Sequence, residues 1–376
     1  MTARLFAPIT LGGVTLPNRI VISPMCQYSA DDGCMSDWHL AHLGSLACSG
    51  AGLMLVEATA VTREGRITHA CTGLYSDHDE AAMKRVVDAC RRITRSPIGI
   101  QLAHAGRKAS TQVPWLGGKP LVGGESPWPA VAPSALAFGE GWPTPHELST
   151  VEIRGLIDAF AAAARRALAI GFDVIELHSA HGYLTHQFLS PLANRRSDRY
   201  GGSLENRMRF ALELARAVRE VWPRERALGA RITASDWAEG GFEAGDAAAY
   251  ARELKAIGLD YVCVSSGGLV SHQRIKVEPG YQVGFAARVK QAVPIAVCAV
   301  GMIADAGQAE RIVASDEADM VALARGVLDD PRWVWHAAER FGATVAYPPQ
   351  YARSHPSVWP GAALARPGGT AIRAAA

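Results

Sequence analysis

Eight times along the chain, a short run rich in Val, Ile and Leu is followed by small or polar residues and then by a longer stretch of helical periodicity. The runs fall at 20–23, 53–57, 98–102, 174–177, 228–232, 261–264, 295–299 and 320–323. They lack apolar–polar alternation, which is the pattern of strands covered on both faces in a parallel sheet. Three of them are entered through an acidic residue, Asp173, Asp260 or Asp319. Strand and helix repeating through a whole chain imply a parallel sheet, and eight repeats favour a closed barrel over an open doubly wound sheet. The expected fold is therefore α/β: a single (β/α)8 TIM barrel with an N-terminal hairpin, a long loop after the third strand and a C-terminal tail.

Between the runs, 151–170 and 203–221 read as helices, the second with Ser203 as its cap and Glu205 where the N-terminal dipole favours an anion. Two segments break the repeat. Residues 107–150 are rich in Pro, Gly and Trp without periodicity, and an excursion of that length is expected to lie over a site as a lid loop. Residues 360–376 are rich in Ala, Gly and Pro with few large apolar side chains, so the barrel is expected to occupy 1–359 and the remainder to be a mobile tail.

A chain of 376 residues with 49% hydrophobic content suffices for one barrel core. The 38 Lys and Arg against 36 Asp and Glu leave a net of +2 and no basic run, so nucleic acid is not an expected partner. No segment approaches the ~20 uninterrupted apolar residues of a membrane helix, and the first 20 carry no secretory pattern, so a cytoplasmic protein without membrane contact is expected. Seven scattered cysteines without a C-x-x-C pair suggest reduced thiols and no structural zinc.

Reactive groups of such barrels gather just beyond the C-terminal ends of the strands. That rule selects Pro24 to Tyr28 after the first run, Ala58 and Thr59 after the second, Gln101 and His104 at the third, and His178 to Tyr183 after the fourth. It adds Arg231 in the fifth, Ser265 to Gly268 after the sixth, Val300 to Met302 after the seventh and Ala324 to Gly326 after the eighth. The small residues after runs seven and eight sit where barrels commonly hold a phosphate, with Arg325 as a partner; each loop alone reads more readily as a tight turn, and the two together favour phosphate. Arg231 lies among apolar and small residues and needs an anion: either a carboxylate such as Asp236 or Glu176, or a ligand that becomes negative in turnover. His178 and His181 have the spacing of metal ligands, and Glu176 alternates onto the same side, so a metal-dependent TIM-barrel hydrolase stays open as an alternative. With Tyr183 two residues on, the same pair offers two imidazole donors for an oxyanion and a phenol that can deliver a proton. Cys26 reads equally as a small packed side chain, and Tyr28 as a wall residue.

Taken in order, these residues resemble the old yellow enzyme family, in particular its thermophilic-like bacterial branch of ene-reductases, NADPH dehydrogenases and xenobiotic reductases. The resemblance rests on Asn18 to Cys26, on Gln101 to Lys108, on His178 to Tyr183 with Gln187 to Pro191, and on Asn194, Arg196, Asp198, Tyr200 to Ser203 and Glu205 to Arg207. It implies FMN held by Pro24, Met25, Cys26, Ala58, Gln101, Arg231, Gly301, Ala324 and Arg325, and NAD(P)H as electron donor, with NADPH favoured. It implies that His178 and His181, assisted by Tyr28, bind the oxygen of an activated alkene, that Tyr183 protonates its α-carbon, and that Cys26 tunes the flavin. Enones are the expected small-molecule substrates, with quinones and nitro compounds beside them, and no metal is expected. The segment Gln350 to Arg353 is similar to the family's tail, which places an arginine, here Arg353, in a neighbouring subunit's site; a homodimer or homotetramer is implied. The family's chains usually stop soon after this point, whereas here 354–376 follow.

Overall fold

In a computed structural model, which describes residues 3–365, two short strands open the chain, β1 (Ile9–Leu11) and β2 (Val14–Leu16), paired as an antiparallel hairpin. The barrel strands β3 (Ile20–Ile22), β4 (Leu53–Ala60) and β5 (Ile98–Ala103) follow. A two-residue parallel pair, β6 (Val131–Ala132) and β7 (His146–Glu147), interrupts them. The barrel resumes with β8 (Val174–Ser179), β9 (Ala227–Thr233), β10 (Tyr261–Ser265), β11 (Ala296–Ala299) and β12 (Met320–Leu323). Eight parallel strands close on themselves in the order β10-β11-β12-β3-β4-β5-β8-β9. All eight expected runs are these strands, within a few residues at each end.

The helices between them are α1 (Asp37–Ala47), α2 (Asp77–Ile93), α3 (Thr150–Ile170), α4 (Leu184–Leu189), α5 (Leu204–Val221), α6 (Ala244–Ile257), α7 (Val283–Ala292), α8 (Ala306–Ala314), α9 (Arg325–Asp329) and α10 (Trp333–Phe341). Ser149 and Ser203 cap α3 and α5, each side chain accepting a backbone N–H of the first turn. The acidic residues ahead of the strands close strand bottoms: Asp173 accepts from Ile98 N, Asp260 from Leu228 N and Asp319 from Val297 N.

Each barrel strand faces outward to the helices with one set of side chains and inward with the other, so both sets are apolar over most of their length. The outward set joins the helices in one large core that includes Ile175, Leu177, Ile232 and Val262. Inside, the lower barrel holds Leu53, Leu55, Val174, Tyr261 and Met320, plugged from below by Leu11 and Leu16 of the hairpin. On β8 the inward positions climb from Val174 to Glu176 to His178, an apolar floor, a carboxylate and an imidazole at the rim. Residues 107–150 follow on from the 3-10 turn Gly106–Lys108 and contain, besides β6 and β7, the 3-10 turn Pro114–Leu116. Of the expected tail, residues 366–376 lie outside the described residues, and Pro360–Ala363 form a 3-10 turn. The seven cysteines are unpaired, and no helix among the described residues is long and apolar enough to cross a membrane.

Candidate active site

The pairing of β8 with β9 sets Glu176 opposite Gly229 and His178 opposite Arg231, and inside the barrel Arg231 Nε donates diagonally to Glu176 Oε1 at 3.1 Å. Gln101, arriving on β5, donates to the same oxygen at 2.7 Å, and the Tyr261 hydroxyl reaches Oε2 at 3.2 Å. Of the two carboxylates expected for Arg231, Glu176 is the partner. Asp236 belongs to another cluster, described below. All four groups are buried, so the guanidinium is neutralised within the fold while its face towards the strand tips carries Ser23, whose hydroxyl lies 3.5 Å from Nη2.

His178 stands beside Arg231 in the sheet register, with His181 and Tyr183 in the loop beyond it. The rings of His178 and His181 are 5.1 Å apart, edge to face, and His178 and Tyr183 are again 5.1 Å apart. Burial, with Arg231 and Lys108 adding to it, lowers the pKa of both imidazoles, so both are neutral at pH 7. Burial also pushes the Tyr183 phenol well above its usual value, so it keeps its proton. His181 Nε2 lies 2.7 Å from Ser265 Oγ, while His178 Nδ1 is buried without a hydrogen-bond partner.

What holds this loop in shape was only partly legible. Gly182 has φ +74°, and a Cβ there would come within 2.0 Å of Gly268 O, so only glycine lets the two loops touch. The Gly182 N–H donates to His186 Nδ1 at 2.9 Å. A backbone N–H can only donate, so Nδ1 is the acceptor and the ring proton sits on Nε2, 2.7 Å from Asp236 Oδ1. Asp236 Oδ2 accepts from Ser190 Oγ at 2.6 Å and from Phe242 N at 2.7 Å. Burial works to raise the pKa of Asp236, but His186 and these donors more than offset it and hold the carboxylate below its usual range. His186 and Asp236 escaped the sequence reading as site residues. The available signal was His186 four positions after Gly182, one helical turn.

Pro24, Met25, Cys26 and Tyr28 are half-buried beyond β3. Burial, and then Glu57, push the Cys26 thiol well above its ordinary pKa. Glu57, on β4 behind it, accepts from Gln27 N at 3.0 Å and lies 3.3 Å from His39 Nε2. Ser36 N donates to His39 Nδ1 and so fixes that ring's proton on Nε2. Neither His39 nor Glu57 was singled out from the sequence, although Glu57, like Arg231, is a charge ending an apolar run. Tyr28, with φ +49°, meets the edge of Trp115 at 6.0 Å, and Lys108 Nζ lies 4.9 Å from the centre of the Phe138 ring.

Ala58 is buried at the tip of β4. Gly301 has φ +116°, and a Cβ there would meet Gln282 Nε2 at 2.5 Å. Ala324 is half-buried and Arg325 exposed at the start of α9. Arg353 is exposed in the 3-10 turn Pro349–Ser354, and no hydrogen bond or ion pair joins it to the site. Among the described residues, no group of three or more His, Cys, Asp and Glu is disposed to hold a metal ion. The alternative built on His178, His181 and Glu176 also loses its third ligand chemically, since Glu176 is engaged by Gln101, Arg231 and Tyr261.

Residues 4–342 match the model of the NADH:flavin oxidoreductase / NADH oxidase family. The chain belongs to this family, the old yellow enzymes. The NADPH dehydrogenase of Geobacillus sp. (strain WCH70) is 45% identical over 355 residues, covering 94% of this chain and 99% of the relative. That of Bacillus subtilis (strain 168) is 42% identical with the same coverage. Among solved structures, morphinone reductase superposes with a TM-score of 0.76 at 31% identity, covering 93% of each chain. The old yellow enzyme reading from sequence is thus shown, as is an enzyme that uses a flavin with a nicotinamide donor.

Proposed function

We propose that this chain is an FMN-dependent reductase of activated C=C bonds, taking electrons from NAD(P)H, with NADPH favoured. Enones are the main substrates, with quinones and nitro compounds also accepted. The observation that carries the reading is the cluster His178, His181 and Tyr183: two neutral imidazoles and one protonated phenol, with His181 and Tyr183 each 5.1 Å from the His178 ring and His178 beside Arg231.

The residues fit FMN. His178 Nδ1 is a buried polar atom awaiting a partner, and the glycine at 301 leaves its loop bare of a side chain. Pro24, Met25, Cys26 and Ala58 would line one side, and Gln101 and Arg231 would meet the polar edge of the ring. Gly301, Ala324 and Arg325 would take the phosphate. When bound, FMN supplies the hydride that reaches the substrate's β-carbon. The work of the chain's own residues is then electrostatic. His178 and His181, with Tyr28 beside them, donate to the substrate oxygen and so draw electron density from the β-carbon. The Tyr183 O–H bond breaks as its proton passes to the α-carbon. Arg353 is read as an arginine offered to the site of a second copy, in a homodimer or homotetramer.

Stopped-flow spectroscopy of the flavin band tests this. Tyr183→Phe is expected to slow reoxidation by an enone at least about tenfold while leaving reduction by NADPH within about twofold. Equal slowing of both half-reactions would remove Tyr183 as the proton donor, and failure of NADPH and NADH to bleach the band would favour a non-catalytic flavoprotein.

A further inference from the structure

Lys108 ends the 3-10 turn Gly106–Lys108, half-buried at the mouth of the barrel. Its Nζ donates to the carbonyls of His181 and Gly268, at 2.9 Å each, and lies 5.0 Å from the centre of the Tyr183 ring and 4.9 Å from that of Phe138. Neither Lys108 nor the adjacent Arg107 has a carboxylate among its partners. Arg107 donates to the carbonyls of Leu136, Ala137 and Leu269. Two carbonyls could be bridged by many neutral donors, whereas an enclosed ammonium costs desolvation. The charge therefore needs a purpose besides tying two loops together, and the group it faces that changes charge in the proposed reaction is Tyr183.

We infer that Lys108 is a positioning residue for the proton step, its ammonium stabilising the phenolate that Tyr183 becomes as it gives its proton away. The inference rests on Tyr183 being the proton donor. In that step the Tyr183 O–H bond breaks, its electron pair stays on the phenolic oxygen, and the C–H bond forms at the substrate's α-carbon. Solvent then returns a proton to the oxygen, and Lys108 itself borders a hollow of about 320 Å³ lined also by Tyr28, Phe138 and Trp142. A phenolate in this enclosure is strongly disfavoured, because burial pushes the pKa of Tyr183 well up. A unit charge 5.0 Å from the ring centre, partly screened, is expected to speed the step roughly tenfold to a hundredfold.

The groups facing the ammonium are Arg107 on its own turn, His178, His181 and Tyr183 from β8 and its loop, and Tyr28 across the hollow. Phe138 and the stretch Gly267 to Val270 carry no titratable side chain; His272 and Arg274 follow farther along that loop. Burial, and then Arg107, lower the pKa of Lys108 to about 8. The ammonium is therefore present below that pH and lost above it, so enone-driven reoxidation should fall along an alkaline limb near pH 8.

The experiment measures both half-reactions of the FMN-loaded enzyme from pH 6 to 10 for the native protein, Lys108→Met, Lys108→Arg, Tyr183→Phe and the Met–Phe double variant. Expected are a tenfold to hundredfold slower reoxidation in Lys108→Met with no limb near pH 8, and, in Lys108→Arg, a restored rate with the limb displaced upward. With Phe at 183, the Met substitution should change reoxidation less than about twofold. An equal loss with Tyr or Phe at 183, or equal slowing of reduction by NADPH, would overturn the inference. If Lys108→Met fails to retain FMN, Lys108→Arg decides alone, and a limb that stays near pH 8 refutes it. A Tyr183→Phe enzyme with undiminished reoxidation would instead sink the proton-donor reading itself.

Discussion

Asp236→Asn should loosen the loop from His178 to Tyr183 without touching a ligand there. The carboxylate collects three hydrogen bonds, from His186 Nε2, Ser190 Oγ and Phe242 N, in a fully buried position. An asparagine there turns its oxygen to the His186 N–H and is left facing the Phe242 N–H with an amide nitrogen, which cannot accept. One buried N–H without a partner costs about 1–3 kcal/mol, and losing the ionic character of the remaining two bonds costs about 1 kcal/mol each. The total is about 3–5 kcal/mol. With an unfolding entropy of about 2.1 cal/mol/K per residue, this lowers the Tm of the 376-residue chain by about 4–6 °C. The carboxyl is held below its ordinary pKa in the fold, so its contribution is present above the unfolded value near 4 and is lost as pH falls through the lower folded value. The gap between native and variant Tm should accordingly be constant from pH 8 to about 5 and narrow below about 4. Because His186 holds Gly182 N, between His181 and Tyr183, enone-driven reoxidation should also slow at least about tenfold. Differential scanning calorimetry across that pH range, with stopped flow at pH 7, checks each part. A Tm within about 1 °C of native, or a gap that does not respond to acid, would refute the hydrogen-bond account.

Gly182→Ala places a methyl 2.0 Å from Gly268 O at a positive φ, and should cost about 3 kcal/mol or more and abolish phenol binding at the flavin, seen as a lost charge-transfer band on titration. Glu176→Gln leaves Arg231 buried without its counter-ion, so urea unfolding of the FMN-free protein should show a loss of about 3–5 kcal/mol; a loss below about 1 kcal/mol would mean that the pair is not the one holding Arg231. Burial holds the Cys26 thiol protonated, so its alkylation by iodoacetamide, followed by mass spectrometry, should be slow at pH 8 and still rising at pH 10; a plateau below pH 9 would contradict this.

Pattern along the chain was enough for the barrel, because a strand covered on both faces must be apolar without alternation, and eight such runs separated by helices have few other ways to bury themselves. It was also enough to collect His178, His181, Tyr183 and Arg231, since in this fold the groups beyond the strand tips converge whatever their separation in sequence. Pairing between distant elements was not legible in this way. Whether Arg231 would meet Glu176 or Asp236 depended on which strand lies beside β9, and only the closed sheet puts β8 there with Glu176 on the inner face. His39 behind Glu57, Asp236 behind His186, and Lys108 over Tyr183 each join residues from separate elements by side-chain direction and loop path. Local propensity carries no trace of these, and the packed fold alone decides them.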